Sequence, residues 1–514
     1  MNVFRGIVSL VGVMFSALAT FATCTPTDGV ERGNITIHHE GELLLGNEGG
    51  SVTFDVECDM VWTTQAADPE QSKWLSLWPA SGEAGVSEVQ IVASANDGDV
   101  ERTADIIFRS GGATETLTVR QQKTRLDVSA PTLDFGFEGE TKYIDVETNL
   151  PSWRVPVPSG SEWCRVTRDT GGGRIEIEVE NNFGAERRVT FDVVAGSLSR
   201  EITVTQGSFD SENYYADGEV VKLLGAKKGD GVELVLMGDG YTLADMTRQG
   251  GDYEKLMRQT IEHFFSTYPL SDYRDYFNVW MVAAVSGDEG ITDSSAGAAG
   301  RRDTRLATVW GGGGSTLLEC DRTTAEQYAR KAADAAGKTL DEVTAIVPVN
   351  MTARAGTSWF RSGGFSMAIC STGEAFFQSM ILHEVCGHGF AKLADEYTRP
   401  GAPDAAMRSN IIAAQRDGIY MNIDVECGGD KTLTKWSGFV GKAGYENVGA
   451  FEGAFMFTDG VWRSEEAESC MDDESIHYFN APSRWMQARR VMALSGEDAD
   501  FTIDEFIAVD KEKQ

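Results

Sequence analysis

The sequence predicts a multidomain protein in which two all-β, immunoglobulin-like sandwiches precede an α/β domain. Its length of 514 residues exceeds what one hydrophobic core can organise, since ordinary domains contain roughly 100–200 residues. A duplicated strand pattern occupies about residues 33–207, and alternating strand and helix patterns follow it. We therefore divide the chain into residues 1–24, 33–124, 125–207 and 208–514.

Residues 1–24 have the features of an export signal. Arg5 precedes an apolar run of small residues, Gly6 to about Thr20, which is shorter than the roughly 20 residues that a membrane span needs. The run ends at Phe21–Cys24, which resembles a bacterial lipobox, in which the cysteine is lipidated. We expect an outer-membrane or cell-surface lipoprotein, attached to the membrane only through Cys24. Plain signal cleavage, giving a secreted or periplasmic protein, is the alternative.

The composition excludes one class of partner. Hydrophobic residues make up 41% of the chain and charged residues 24%, which is ordinary for protein that folds in water. The net charge is -34, with 79 acidic against 45 basic side chains. Because nucleic-acid binding depends on clustered cations that neutralise phosphates, we expect no nucleic-acid partner.

Residues 33–124 and 125–207 repeat one pattern of short alternating strands separated by turn residues. Gly50–Val56 is echoed by Glu140–Val146. Further matching positions follow in the same order in both copies: Trp62 and Trp153, Trp74 and Trp163, Asn96 and Asn182, Arg102 and Arg187, Thr118–Gln121 and Thr203–Gln206. Such a pattern, with little helical periodicity, predicts two tandem immunoglobulin-like sandwiches.

The two copies resemble BACON domains, which gut bacteria often place before enzymes and which are associated with carbohydrate or mucin binding. The resemblance implies carbohydrate as a partner of the sandwiches. The paired tryptophans fit core anchors of two spacer domains equally well, so the sequence leaves a spacer and a glycan binder open.

Residues 208–514 alternate between buried-strand and helix patterns, which predicts an α/β domain. The predicted strands are Val232–Met237, Phe277–Val285, Val343–Val349 and Gly363–Ser371, and the predicted helices are Asp245–Tyr268, Thr323–Ala336 and Glu374–Ala394. We expect Gly363–Cys370 to be an edge strand on which an extended peptide pairs.

The hexapeptide His383–His388, with the sequence His-Glu-Val-Cys-Gly-His, has the residue types of a zinc hydrolase. Such chemistry needs ligands that leave one coordination position open and a carboxylate that takes a proton from water on the metal. In the HExxH motif the histidines lie one helical turn apart, with the glutamate between them. We predict that His383 and His388 bind Zn²⁺ and that Glu384 is the general base.

The spacing between His383 and His388 is one residue longer than in HExxH. At about 100° per residue, a regular α-helix would splay the two side chains by about 140°. A π-bulge absorbs the extra residue and returns both histidines to one face, and Gly387 makes this distortion easier. The zinc prediction is therefore also a prediction of a bulge at Val385–Gly387. Dipeptidyl peptidase III uses a similar HExxGH arrangement.

The third zinc ligand is expected among the nearest carboxylates after this helix, Asp395 and Glu396. Metzincins similarly turn the chain after the second histidine and bring in a third ligand shortly beyond it. We favour Asp395, with the other carboxylate orienting a histidine. The sequence leaves Glu396 open as the ligand.

The stretch Gly387–Tyr397 resembles the IgA-specific zinc metallopeptidases, metallopeptidase family 64. Shorter segments share the resemblance: Gly238–Thr242, Tyr276–Trp280, Glu452–Ala454 and Cys470–Met471. The resemblance spans about Val232 to Met492 and implies a zincin-like endopeptidase domain whose zinc is held by His383, His388 and an acidic residue. Its family name suggests mucosal glycoproteins or immunoglobulin A as substrate. The longer hexapeptide, and Lys392 in place of a small residue, depart from many relatives.

Three further residues are candidates for supporting roles. His477 or Tyr478 would stabilise the oxyanion that forms when water attacks a peptide carbonyl, and Met471 would lie beneath the metal. An alternative from a different class is a glycan- or mucin-binding surface lipoprotein with a degenerate peptidase domain. The retention of Glu384 between two histidines argues against it. A hydrolase of non-peptide amides is a further alternative.

Overall fold

The computed structural model describes residues 33–512 except 157–160, 169–171 and 362–363. The predicted export signal and Cys24 lie outside the described residues. Within them, no helix combines the length and apolar character that crossing a membrane requires. The chain divides into two compact units, residues 1–180 with 187–206, and residues 181–186 with 207–514.

The first copy of the repeat folds into two sheets around one core. Its strands are β1 Ile35–Ile37, β2 Leu43–Leu45, β3 Gly50–Cys58, β4 Trp62–Ala66, β5 Leu75–Trp78, β6 Ser81–Gly82, β7 Gly85–Ala93, β8 Arg102–Ser110 and β9 Ala113–Gln121. The sheet orders are β1-β3-β7-β5 and β2-β9-β8-β4-β6. Alternate residues of these strands face inward, as the period of two requires, and meet in a core that includes Trp62 and Phe108.

The second copy repeats this two-sheet arrangement. Its strands are β10 Leu126–Val128, β11 Thr132–Phe135, β12 Glu140–Thr148, β13 Cys164–Arg168, β14 Arg174–Val179, β15 Arg187–Ala195 and β16 Leu198–Gln206. The sheet orders are β10-β12-β14-β13 and β11-β16-β15. Trp153, Ile177 and Val193 lie in its core.

The repeated tryptophans are structural in both copies. Trp62 is fully buried, and Trp74 is nearly so. The guanidinium of Arg102 stacks 5.0 Å from the Trp74 ring and donates a hydrogen bond to Gln121. The same trio recurs in the second copy as Trp163, Arg187 and Gln206. These rings therefore act as core anchors and stacking partners of arginine, which removes them as exposed platforms for sugar.

The second unit is built around a six-stranded sheet with the order β17-β19-β18-β23-β25-β24. Its strands are β17 Val220–Leu224, β18 Val232–Leu236, β19 Phe277–Val282, β23 Val343–Val349, β24 Gly356–Phe360 and β25 Ser366–Ser371. Smaller sheets contain β20 Thr292–Asp293, β21 Val309–Trp310, β22 Leu318–Glu319, β26 Ile423–Asp424, β27 Phe451–Ala454 and β28 Phe457–Arg463. The central strands β18, β23 and β25 are buried throughout, as parallel strands covered on both faces are.

Helices accompany this sheet. The α-helices are α1 Asp252–Phe264, α2 Leu270–Tyr273, α3 Arg322–Ala336, α4 Phe377–Met380, α5 Ala405–Arg416, α6 Ala481–Leu494 and α7 Ile503–Val509, and a π-helix covers Ile381–Phe390. Short 3₁₀ turns occupy Leu243–Met246, Arg274–Tyr276, Ser294–Gly300, Leu340–Glu342, Lys431–Leu433 and Ser437–Phe439. In α3, the Asp321 side chain caps the first turn, and Gly337 ends the helix at φ 70°.

The sheet order corrects the expected edge strand. The predicted strand Gly363–Cys370 overlaps β25, Ser366–Ser371, which lies between β23 and β24. The edge strand on this side of the sheet is β24, which runs antiparallel to β25. The burial of β25 on both faces explains its apolar sequence, which gives no indication of its place in the sheet.

Candidate metal centre and catalytic site

The π-helix brings the two histidines of the hexapeptide together. Helix α4 continues directly into the π-helix Ile381–Phe390, so the predicted distortion at Val385–Gly387 is confirmed and extends over 10 residues. A π-helix repeats its hydrogen bonds every five residues, so residues at this spacing lie above one another. The ring centroids of His383 and His388 are 4.8 Å apart.

Gly387 lets a neighbouring segment approach the π-helix. A Cβ atom at this position would lie 2.3 Å from the Met471 sulfur, which no real side chain tolerates. Met471 is fully buried against the helix that carries both histidines. The requirement for glycine here is therefore steric.

Asp395 completes a cluster with the two histidines. Its Oδ1 atom lies 3.3 Å from Nε2 of His383 and 3.2 Å from Nε2 of His388. One potential ligand atom from each side chain lies within 4.8 Å of the others. Of the two carboxylates that the sequence left open, Asp395 is the one that meets the histidines.

The hydrogen bonds of the imidazole rings test whether the cluster fits a metal. Nδ1 of His383 lies 2.8 Å from the carbonyl oxygen of Cys470, and Nδ1 of His388 lies 2.8 Å from that of Leu393. A carbonyl only accepts, so each Nδ1 carries the proton, and the neutral rings turn their Nε2 lone pairs toward Asp395. Two lone pairs facing a carboxylate repel it unless a cation lies between them. Two nitrogens and one oxygen suit Zn²⁺.

The pKa shifts agree with this need for positive charge. Burial alone would lower the pKa of His383, but hydrogen bonds to the side chains of Asp395 and Cys470 outweigh it and raise the pKa to about 10. Burial also lowers the pKa of His388. The charge of Asp395 and its hydrogen bond to the ring outweigh burial and raise this pKa to about 9. Burial would raise the pKa of Asp395, yet the two histidines hold it well below its usual range.

Glu384 lies beside the cluster in a cavity of about 810 Å³ that the histidines and Asp395 also line. The Ser358 hydroxyl lies 2.9 Å from Oε2 of Glu384 and 2.6 Å from its carbonyl oxygen. A Cβ atom on Gly356 would come within 2.7 Å of the Glu384 side chain. Two residues of the edge strand β24 therefore orient the carboxylate and leave it room.

Glu396, the neighbour of Asp395, is directed to a different set of partners. It is fully buried and accepts hydrogen bonds from Asn422, Asn480 and Ser469. Its backbone N–H donates to the carbonyl of Met471. Burial raises the pKa of Glu396 despite these donors. Glu396 thus holds the Ser469–Met471 segment, whose Cys470 carbonyl orients His383, and makes no direct contact with either histidine among its described hydrogen bonds.

The comparisons with known proteins agree with this geometry. Residues 221–444 match the family described as IgA Peptidase M64. The matched range, here called the M64 domain, contains the three clustered side chains and Glu384. The model of BACON, an N-terminal binding domain, matches residues 61–122 and 153–207. The predicted resemblance to both families is confirmed, and with it a multidomain protein with β-rich N-terminal domains.

Similarity to solved structures is weak. A Bacteroides ovatus GH5 xyloglucanase shares 21% identity over 20% of this chain, with a TM-score of 0.17, and the chain spans only 22% of that protein. The titin I9–I11 tandem shares 12% identity with this chain, with a TM-score of 0.24. The match covers 40% of this chain and 73% of the titin tandem. TM-scores of this size do not establish a shared fold. No curated protein matches the chain.

The structure does not bring the predicted oxyanion residues to the M64 site. The His477 ring pairs with the Ser379 hydroxyl at 3.1 Å, and the Tyr478 hydroxyl donates to Glu465 at 2.8 Å. Neither residue is among the described residues that line the cavity. Their hydrogen bonds go to Ser379 and Glu465 instead.

Tyr397 and Arg354 are among the cavity residues that escaped the sequence prediction. Burial and the charge of Asp395 raise the pKa of Tyr397, so its hydroxyl stays protonated as a donor. Arg354 forms an ion pair with Glu474 at the other end of the cavity. The position of Tyr397, immediately after the two candidate carboxylates, was the available signal.

Lys392 is buried beside the site. It is 3% exposed, its amino group lies 3.4 Å from the Gly364 carbonyl, and burial lowers its pKa from 10.5 to about 6. Between those two pH values the unfolded chain binds more protons than the folded one, so stability rises with pH. The free-energy cost of burying the Lys392 amino group is therefore largest below about pH 6. This cost disappears above about pH 10.5, the pKa of the group in the unfolded chain.

We expect Lys392→Met to raise the free energy of unfolding at pH 7 by at least about 1 kcal/mol and to flatten its pH dependence. Urea denaturation from pH 6 to pH 9 measures both effects. Lys255→Met is the control, since its side chain is 67% exposed. Equal pH profiles for wild type and Lys392→Met would show that Lys392 is charged in the folded protein.

Proposed function

We propose that the M64 domain is a zincin-like, zinc-dependent endopeptidase. The observation that carries the proposal is the meeting of His383, His388 and Asp395 in a cavity that Glu384 shares. The sheet also supports the proposal of a zincin-like domain. An antiparallel edge strand, β24, borders the cavity, and the buried strand β25 leads to the helix that carries the hexapeptide. The match to a peptidase family agrees with hydrolysis of peptide bonds.

The protein groups divide the reaction between them. Zinc held by the clustered side chains would supply a Lewis acid and a water molecule of lowered pKa. Glu384, oriented by Ser358, accepts a proton from the attacking water and delivers it to the leaving amine. Tyr397 lines the cavity next to Asp395 and donates its O–H to the negative charge that develops on the carbonyl oxygen.

The edge strand β24 supplies the surface for the peptide. One of its sides pairs with β25, and Gly356, Thr357, Ser358 and Phe360 line the cavity. An extended peptide adding to the free side would place a carbonyl close to Glu384, because Ser358 contacts that carboxylate directly. Main-chain pairing of this kind accepts many sequences and suits a protein substrate.

We further propose that the protein is exported, attached through Cys24, and acts on glycoproteins outside the cell. The family description favours immunoglobulin A or a related mucosal glycoprotein as substrate. Carbohydrate binding by the BACON-like domains would hold the enzyme near such substrates. The repeated tryptophans are buried or stacked, so another surface of these domains would have to meet the sugar.

Removal of metal should abolish hydrolysis. We expect 1,10-phenanthroline to reduce cleavage of unfolded casein to background and about one equivalent of zinc to restore it, because Glu384 alone is too weak a base to activate bulk water. Mass spectrometry of the fragments and elemental analysis of the protein measure both outcomes.

Cleavage that persists in metal-free protein would contradict the proposal. The surface lipoprotein with a degenerate peptidase domain gives a different result, namely binding on a glycan panel without hydrolysis at any zinc concentration. A hydrolase of non-peptide amides would bind zinc and leave casein intact.

A further inference from the structure

One wall of the cavity is aromatic. Phe360 on β24, Tyr420 and Phe455, here called the aromatic wall, come from three separate segments and all line the cavity. The rings of Phe360 and Tyr420 are 6.1 Å apart, and those of Tyr420 and Phe455 are 5.4 Å apart, both tilted edge to face. All three side chains are half-buried, so part of each ring faces the cavity.

The aromatic wall is fastened to the segment that carries Asp395. The backbone N–H of Phe455 donates to the Asp395 carbonyl, and that of Tyr420 donates to the Lys392 carbonyl, both at 2.9 Å. The amino group of Lys392 lies 4.5 Å from the Phe360 ring. Tyr420 and Phe455 also pack on a small core that contains Ala394. The wall is therefore held in a fixed place relative to the candidate metal ligand.

Backbone strain is concentrated at this wall. In the part of the chain that the structure describes, the non-glycine residues with positive φ are Gln249, Ala307, Lys392, Tyr420, Phe455 and Met456. The last four of these belong to the wall or contact it. Glycine would adopt these conformations at lower cost, so the large side chains occupy these positions against the backbone preference. Strained backbone at two aromatic residues that line the cavity points to a function of their rings.

The opposite end of the cavity has a different character. The carboxylates that line it are Glu468, Asp472, Asp473 and Glu474. Arg354, the residue that pairs with Glu474, precedes Gly356 on the chain, whereas Phe360 lies at the other end of β24. The strand thus runs from the acidic end to the aromatic wall, with Ser358 and Glu384 between them.

We propose that the aromatic wall binds an aromatic or long aliphatic side chain of the substrate, on the N-terminal side of the scissile bond. This inference rests on the proposed peptidase function. A peptide that pairs antiparallel with β24, the more stable arrangement, has its N-terminal half at the Phe360 end. Ser358 and Phe360 share one face of the strand, so the side chain that meets the wall lies on the same side as Glu384.

Two variants remove rings without disturbing the backbone. Phe360→Ala truncates a residue of ordinary strand conformation, and Phe360→Leu restores an apolar side chain. Tyr420→Asn removes a ring at φ 59° while keeping a residue that tolerates this conformation. Tyr143→Ala, an exposed aromatic in β12, is the matched control.

The first measurement is the cleavage profile on a mixture of synthetic peptides, determined by mass spectrometry. We expect Phe, Tyr, Leu and Met to be enriched at least about tenfold over Ser and Asp at one position before the cleaved bond. The enrichment should fall to about twofold in Phe360→Ala and Tyr420→Asn and return in Phe360→Leu. Bound metal should remain unchanged in all of them.

The second measurement separates the wall from the chemistry. Calorimetric titration of the Glu384→Gln variant with Ac-Gly-Phe-Gly-Gly-NH₂ and Ac-Gly-Ser-Gly-Gly-NH₂ should give at least about tenfold tighter binding of the Phe peptide. That difference should vanish when Phe360→Ala is added. The same preference without any cleavage by the wild type would support the wall and contradict the peptidase. Cleavage with an unaltered profile in both wall variants would overturn this inference alone.

Discussion

Replacement of Glu384 by glutamine is expected to lower kcat for peptide hydrolysis by about 10²–10⁴-fold while leaving the bound metal in place. Glutamine keeps the shape and can still pair with the Ser358 hydroxyl, but it cannot accept a proton from water. The metal should remain because Glu384 is not part of the cluster of His383, His388 and Asp395. Initial rates on a fluorogenic peptide, together with elemental analysis, give both values.

Glu374→Gln is the control for this substitution. Glu374 is exposed shortly before α4, so the variant makes the same chemical change near the same helix and should retain full activity. Near-normal hydrolysis by Glu384→Gln would remove Glu384 as the base. Loss of metal together with activity would instead make Glu384 a ligand.

Replacement of Asp395 by alanine is expected to weaken zinc binding at least about a hundredfold and to reduce hydrolysis to background. The carboxylate supplies the only oxygen in the described three-residue cluster, and two neutral imidazoles alone hold zinc weakly. Competition with a chromogenic chelator measures the affinity, and circular dichroism checks that the variant is folded.

Glu396→Gln is the matched comparison, since it alters the adjacent carboxylate. Its amide would oppose the donors of Asn480 and Asn422, so we expect a lower melting temperature. The folded fraction should still bind zinc with an affinity close to that of the wild type. The reverse pattern, with zinc lost in Glu396→Gln and kept in Asp395→Ala, would exchange the roles of the two residues.

The parts of the site that could be predicted from the sequence are those set by local spacing. The interval between His383 and His388 required a π-type distortion, because no regular α-helix places them on one face. The choice between Asp395 and Glu396 could not be made, since the two residues are adjacent and either could have met the histidines. The direction of the Glu396 side chain depends on its donors Asn422 and Asn480, which are distant in sequence.

Long-range assembly accounts for the other differences. Phe360, Tyr420 and Phe455 meet only through the folded chain, and nothing in their local sequence indicates a shared surface. The edge position of β24 could not be predicted either, since burial of both faces of β25 does not distinguish a central strand from an edge strand. Repetition, in contrast, made the two β-rich repeats easy to predict, since equivalent arginines and glutamines occupy equivalent places in both copies.

The most direct test of the proposed metal centre is a crystal structure with anomalous diffraction collected at the zinc edge. We expect one peak in the M64 domain, about 2.0–2.2 Å from Nε2 of His383, Nε2 of His388 and a carboxylate oxygen of Asp395, with Glu384 close by and unbound. A peak coordinated by Glu396, or no zinc at the two histidines, would contradict it.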